Sequence, residues 1–267
     1  KTMTIARAGQ KTMVLELVTI PCLKDNYSYL IHDPASAATA VVDVPDAAPI
    51  LAALAQHGWR LSDILITHHH SDHIAGVEAL RAATGARLSG ATADAHRLPP
   101  LDHAVSDGQT IKVGAETGRV IAVPGHTLGH IAWHFPASAL AFTGDCLMAM
   151  GCGRLFEGSA AQMWQSLSRL AALPPETLIA SGHEYTEANI RFALTLEAPT
   201  PALISRAEET RRLRAAGRPT VPSHLADELA TNPFLRAADP ALKAALGMAG
   251  AGDAQTFAEI RARKDKF

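Results

Sequence analysis

The sequence predicts a mixed α/β (α+β) domain followed by a smaller, mainly helical domain, and three features of the chain lead to that expectation. Up to residue 183, short apolar runs of strand length are interleaved with amphipathic stretches of helical period. Beyond His183 the strand signals stop, and helical segments separated by Pro199, Pro201, Pro219, Pro222 and Pro240 take over. Several of the strand-like runs end in histidine or aspartate, which places candidate ligands together at one edge of the fold. The length of 267 residues allows one large domain, or one with a smaller companion.

Residues 1–12 carry Lys1, Arg7 and Lys11 and no acid, and read as an N-terminal extension ahead of Met13. Residues 14–21, 27–31 and 40–44 read as the opening strands, separated by the turn-formers Asp25-Asn26 and Asp33-Pro34. Residues 46–58 are alanine-rich with Ile50, Leu51 and Leu54 on one face, a helix. A strand at 64–66 leads through a polar loop into a helix at 74–84 that presents Ile74, Val77 and Leu80. Further strands are expected at 86–89, 110–113, 119–123, 131–135, 139–142 and 178–180. Ser159 caps a helix that buries Met163, Leu167 and Leu170. Helices at 186–196, 202–216, 224–231, 241–246 and 253–267 make up the second domain, so the division falls at 13–183 and 184–267.

The chain is organised around Thr67-His68-His69-His70-Ser71-Asp72-His73. Where the backbone leaves the strand still extended, side chains alternate, so His68 and His70 point one way and His69 the other. Two imidazoles on one side can hold one cation, and Asp72 and His73, just beyond, can aim at a second point nearby. Asp72 is also suited to cap the helix starting at Ile74. Pro124-Gly125-His126 closes the strand at 119–123 and delivers His126 as the next ligand, while His130 is expected to hydrogen-bond or pack. Thr143-Gly144-Asp145 repeats the strand-end pattern with a carboxylate whose two oxygens can bridge two cations, and Ser181-Gly182-His183 supplies a further imidazole. The repetition suggests that several strands of one sheet deliver their ligands to a common edge. Cys146, beside Asp145, reads as a small buried residue.

These motifs make the chain resemble the metallo-β-lactamase superfamily, and within it the glyoxalase II (hydroxyacylglutathione hydrolase) family. The resemblance runs from about residue 15 to Phe267; Gly151 to Gly158, Gly182-His183-Glu184-Tyr185, Asn232-Pro233-Phe234 and Lys264-Asp265-Lys266-Phe267 are its most specific parts. It implies an αββα sandwich followed by the helical domain. It assigns His68, His70 and His126 to a first metal, Asp72, His73 and His183 to a second, and Asp145 to both, with Asp72 and Asp145 as the catalytic carboxylates. It places Arg154, Tyr185, Arg261 and Lys264 against glutathione, together with Phe156 at a position where a tyrosine is common. The order Val44-Pro45 after Asp43 departs from the usual form of that turn, in a place expected to touch no ligand. The reaction implied is hydrolysis of S-D-lactoylglutathione by a hydroxide that two divalent ions activate, with zinc first and iron or manganese also suited to imidazole and carboxylate ligands. An iron-dependent glutathione persulfide dioxygenase with one metal is the alternative within the superfamily.

Composition narrows the other classes. A formal net charge of −2 gives no general basic surface for nucleic acid, which argues against an RNA-processing nuclease. No apolar run reaches membrane-spanning length. Cys22, Cys146 and Cys152 are too few and scattered for a disulfide framework, so a reducing, cytoplasmic setting is expected. A monomer is expected separately.

Overall fold

The computed structural model describes residues 15–267, and the expected extension at 1–12 lies outside the described residues. β1 (Glu16–Cys22), β2 (Asn26–Asp33) and β3 (Ala38–Val42) form an antiparallel meander. α1 (Ala47–His57) is capped by the Asp46 carboxylate, which accepts from the Ala48 N–H, and ends at Gly58 in the left-handed region. It carries the chain back so that β4 (Asp63–Leu65) lies parallel to β3. A single turn, α2 (Ser71–Ile74), and α3 (Val77–Thr84) lead to β5 (Arg87–Ala91) and β6 (His103–Val105), both parallel to β4. These six strands form one sheet in chain order.

β7 (Thr110–Val113), β8 (Glu116–Ala122), β9 (Ile131–Phe135) and β10 (Leu140–Gly144) form a second meander, followed by a small hairpin of β11 (Leu147–Met148) and β12 (Gly151–Cys152). α4 (Ala160–Ala171) opens on a capping box of Ser159 and Gln162. β13 (Leu178–Ser181) then adds parallel to β10. After α5 (Thr186–Ala193) and α6 (Pro201–Ala215), a two-residue strand, β14 (Ser223–His224), joins the free edge of β13. The region beyond His183 is therefore not purely helical: its backbone completes the second sheet. α7 (Leu225–Thr231), α8 (Pro240–Ala245) and α9 (Asp253–Lys266) finish the chain.

Side-chain alternation explains the layers. Tyr29, Ile31, Val42 and Leu65 of the first sheet meet Val120, Trp133, Phe135, Leu140 and Phe142 of the second in a core between the sheets. The intervening Leu30, Val41 and Ile64 face outward onto Ile50 and Leu54 of α1 and Val77 and Leu80 of α3. On the far side, Ala132, Ala141 and Ile179 face Met163, Leu167 and Leu170 of α4 and the helical domain's Phe192, Phe234 and Phe257. The result is a four-layer αββα sandwich whose second helical layer is shared with the C-terminal helices. Asn232 joins the two regions: its side-chain amide donates to the carbonyls of Met148 and Gly151, and the neighbouring Glu228 carboxylate accepts from the Met150 N–H. The β11–β12 hairpin is thereby held in the orientation that leads into Gly153-Arg154.

Candidate metal centre

The strand pattern brings the ligand-bearing segments together, but from two sheets rather than one. His68 to His73 follow β4 of the first sheet, while His126, Asp145 and His183 follow β8, β10 and β13 of the second, which run in the same direction. A one-sheet arrangement would line the ligands along an edge; two facing sheets let them enclose a point. Cross-sheet hydrogen bonds fix the junction: Ile131 N–H donates to the Thr67 carbonyl, Tyr27 N–H to the Gly182 carbonyl, and the Tyr29 hydroxyl to the Ser181 carbonyl. Two glycines make the approach possible. Gly144 adopts φ 48°, where a Cβ would also lie 2.6 Å from Thr67 Oγ1, and a Cβ at Gly182 would lie 2.5 Å from Asp145 Oδ1.

His68 and His70 face each other, with Nε2 and Nδ1 3.2 Å apart, and His126 Nε2 is 3.0 Å from the same His70 nitrogen. His69 points away, toward the buried Asp94 at 3.1 Å. His73 Nε2 lies 3.4 Å from Asp145 Oδ1; His183 Nε2 lies 3.3 Å from both Asp72 Oδ2 and Asp145 Oδ2. His126 Nε2 is 3.5 Å from Asp145 Oδ2, so the Asp145 carboxylate stands between the two groups of imidazoles. Three sets of ligand atoms are each compact enough for one ion: His68 with His70 and His126, Asp72 with His73 and His183, and His68 with His73 and Asp145.

The outer hydrogen bonds determine which nitrogens carry protons. His126 Nδ1 donates to the Arg154 carbonyl at 2.8 Å, His73 Nδ1 to Asp43 Oδ2 at 2.8 Å, and His183 Nδ1 to Asp25 Oδ1 at 2.9 Å. Thr67 Oγ1 donates to Asp43, so it accepts from His68 Nδ1 at 3.0 Å. In the neutral His68 and His126 rings the inner Nε2 is then a bare lone pair, and in His73 and His183 it is the nitrogen that faces carboxylate oxygens and would give up its proton to a cation. Burial holds His68 and His126 below the usual imidazole range, and His70 likewise, so these three rings are neutral. Burial opposes charge on His73 and His183 as well, but the Asp145 carboxylate with its neighbours overrides it, raising His73 and pushing His183 up to about 10. Asp72 is held low mainly by its hydrogen bond with His183. Asp145 is held low against its own burial by His73 and His183. The anionic half of the cluster thus calls for positive charge.

Divalent cations fit this arrangement. His73 Nε2 and Asp145 Oδ1 are buried without a hydrogen-bond partner and face each other, and neutral imidazoles with carboxylates are a donor set for zinc, iron or manganese.

Above the cluster opens a cavity of about 840 Å³ lined by the candidate ligands His70, Asp72, His126, Asp145 and His183 together with Arg154, Phe156, Tyr185, Arg261 and Lys264. The Phe156 ring, largely exposed, lies 5.5 Å from that of His70 and 5.2 Å from that of His126, while Tyr185 stacks on His183 at 4.7 Å. Lys264 sits over Phe192 and Phe267, and desolvation, then Arg261, Arg191 and Arg154, lower its ammonium to about 8. Arg261 is different. It is buried, paired with Asp265 at 2.8 Å, and donates to the Cys152 carbonyl at 3.0 Å, so much of its hydrogen-bonding capacity holds the turn below Arg154.

Two of the expectations for these residues change. The helix starts at Ser71 rather than Ile74, with His70 as its cap residue, so Asp72 lies inside the turn; its carboxylate accepts from Asn26 and faces His183. The early turn does touch a ligand: Asp43 accepts from His73, and Val44 N–H donates to the His73 carbonyl. His130 meets its expectation by accepting from the Asp145 N–H and stacking on His68. In the sequence Asp25 and Asn26 carry only a turn signal and Asp43 only its place at the end of the strand at 40–44, although Asp43 follows an apolar run in the manner of Asp145, a signal that marks it. Arg191, on the cavity wall, had no such signal. Cys146 is fully buried, as expected.

Comparison with known proteins agrees with this geometry. Residues 26–183 match the family model of the metallo-beta-lactamase superfamily, and residues 184–267 that of the hydroxyacylglutathione hydrolase C-terminus. The chain is 68% identical over 255 residues to a hydroxyacylglutathione hydrolase of Cereibacter sphaeroides, covering 96% of this chain and 100% of that one. It is 59% identical over 256 residues to that of Rhodobacter capsulatus, with the same coverage. Among solved structures, ETHE1 from Myxococcus xanthus superposes with TM-score 0.64 at 26% identity, over 94% of this chain and 90% of that chain. The BLEG-1 B3 metallo-beta-lactamase does so with TM-score 0.64 at 22% identity, over 82% and 99%. Near-complete coverage by relatives of one name, added to a sandwich and helical domain that match two models in succession, identifies this chain as a member of the hydroxyacylglutathione hydrolase family within the metallo-β-lactamase superfamily.

Proposed function

We propose that this chain hydrolyses S-(2-hydroxyacyl)glutathione thioesters, S-D-lactoylglutathione first among them, to glutathione and the free 2-hydroxy acid, D-lactate in that case. One observation carries the reading: a single cavity joins a cluster of inward-facing imidazole nitrogens and carboxylate oxygens to a wall on which Arg154 and Lys264 have no carboxylate partner among the described residues. An anionic thioester matches both ends. His68, His70 and His126 would hold one divalent cation, Asp72, His73 and His183 a second, and Asp145 both, with zinc first and iron or manganese also compatible. When bound, the ions supply a Lewis acid and lower the pKa of a shared water toward neutrality.

The protein's own groups do the rest. Asp145 and the partly exposed Asp72 face the cavity as carboxylates that accept from, and so orient, an attacking water. Phe156 and Tyr185 flank the imidazoles and limit access of bulk solvent. Arg154 and Lys264 bind the glutathione carboxylates, and Arg261 supports them. The leaving thiolate has a conjugate acid of pKa about 8.5, so it departs without a general acid. Burial raises the thiols of Cys146 and Cys152, the latter to about 11, which keeps both protonated and out of nucleophilic chemistry. Residues 13–183 act as the catalytic domain and 184–267 as the glutathione-binding domain, in a cytoplasmic monomer. Among the described residues no helix is long and apolar enough to cross a membrane.

The test is release of free thiol from S-D-lactoylglutathione by the purified protein, with a chelator control and metal content measured on the same sample. Chelator-sensitive release with two metals per chain supports the reading. No thiol release, with one bound iron and oxygen consumption on glutathione persulfide, replaces it with the dioxygenase.

A further inference from the structure

We propose that Arg191 is a specificity-determining residue of the cavity that holds one carboxylate of the glutathione moiety; this rests on the thioester-hydrolase reading above. Tyr185, at the cap of α5, and Ala188 and Arg191 along it all line the cavity, so the three-residue spacing presents one helix face to it. Ile190, Phe192 and Ala193 are buried on the other faces. At 1.5 Å per residue, Arg191 stands about 9 Å along the axis from Tyr185, whose ring stacks on His183. In extended glutathione the sulfur and its two carboxylates are roughly 7–10 Å apart. A thioester seated beside His183 and Asp145 therefore brings a carboxylate level with Arg191.

The charge balance of the wall points the same way. Arg191 is exposed and has no hydrogen-bond or ion-pair partner among the described residues. An exposed arginine is ordinarily a solvated surface charge. This one faces a cavity that it shares with Arg154, Arg261 and Lys264, where Asp265 is the carboxylate paired with any of the four. Like charges gathered on one concave wall repel, and that field favours an anion there. Burial together with the nearby arginines, Arg191 included, already lowers the Lys264 ammonium. A planar guanidinium suits a carboxylate bidentately, which an ammonium cannot do.

The experiment uses the metal-loaded enzyme and the variants Arg191→Gln, Arg191→Lys and Arg60→Gln, the last an exposed arginine ahead of β4, at the end of that strand away from the ligands. KM and kcat are measured with S-D-lactoylglutathione, and binding with the non-hydrolysable S-hexylglutathione. Arg191→Gln should raise KM and the dissociation constant about tenfold while kcat and metal content change by less than about twofold. Arg191→Lys should recover part of the loss, and Arg60→Gln should match the unmodified enzyme. Substrates esterified at the glycyl or the glutamyl carboxylate then form a cycle: discrimination against one of them should disappear in Arg191→Gln. Unchanged KM with both discriminations intact overturns the proposal, as does an equal shift in Arg60→Gln. If the unmodified enzyme releases no thiol, the functional reading fails instead, which keeps the two failures distinct.

Discussion

Replacing Asp43 by asparagine tests whether the hydrogen bonds outside the metal cluster set the state of its ligands. Asp43 is buried at φ 56°, in the left-handed region that asparagine also tolerates, so the change adds little backbone strain. The carboxylate accepts three hydrogen bonds at 2.8 Å: Thr67 N–H on Oδ1, and Thr67 Oγ1 and His73 Nδ1 on Oδ2. A carboxamide keeps one acceptor oxygen and turns an NH2 donor toward the other two donors. Losing a neutral and a charge-assisted bond costs roughly 3 kcal/mol, which for a chain of this size lowers Tm by about 6–12 °C. His73 escapes the clash by giving up the Nδ1 proton and keeping the one on Nε2, the nitrogen that faces Asp145 Oδ1 at 3.4 Å, so the inward lone pair that a cation needs is lost. Affinity for a cation at Asp72, His73 and His183 should then fall about 10- to 100-fold. Thermal melting of the metal-free protein and chelator titration of the loaded protein read the two effects separately. Retention of two cations at unaltered affinity by Asp43→Asn would refute the reasoning.

Three further outcomes follow from the same contacts. Asp145→Ala removes the carboxylate that lies between the two groups of imidazoles, so thiol release should fall by a factor on the order of a thousand, with loss of bound metal by elemental analysis; full turnover with both metals would contradict it. Lys264→Ala should raise KM about tenfold with kcat largely kept. Because the folded Lys264 pKa is lowered to about 8, its ammonium is present below that pH and lost above it, so KM of the unmodified enzyme should rise as pH passes through 8 and that rise should vanish in the variant. Asn232→Ala leaves the Met148 and Gly151 carbonyls without their donor, so denaturant unfolding should show a loss of about 2–3 kcal/mol, and a change near zero would mean that the hairpin is held elsewhere.

The sequence by itself determined the inventory of candidate ligands. His68, His70, His126, Asp145 and His183 each follow an apolar strand, and strand alternation alone separated His68 and His70 from His69, because side-chain direction along an extended backbone is a local property. It also determined the change to a mainly helical chain after His183, since periodicity and proline spacing are local too. The tertiary structure decided which sheet carries which ligand, and it returned β14 to the second sheet by pairing with β13. It gave Asp43 and Asp25 to His73 and His183 across 30 and 158 positions of sequence, contacts that no local pattern encodes. It also set apart three cations of similar appearance in the sequence: Arg261 paired with Asp265, Lys264 desolvated over Phe192 and Phe267, and Arg191 facing the cavity with no partner among the described residues. A side chain's chemistry is written in its residue type, but its protonation and its partners depend on what the fold places around it.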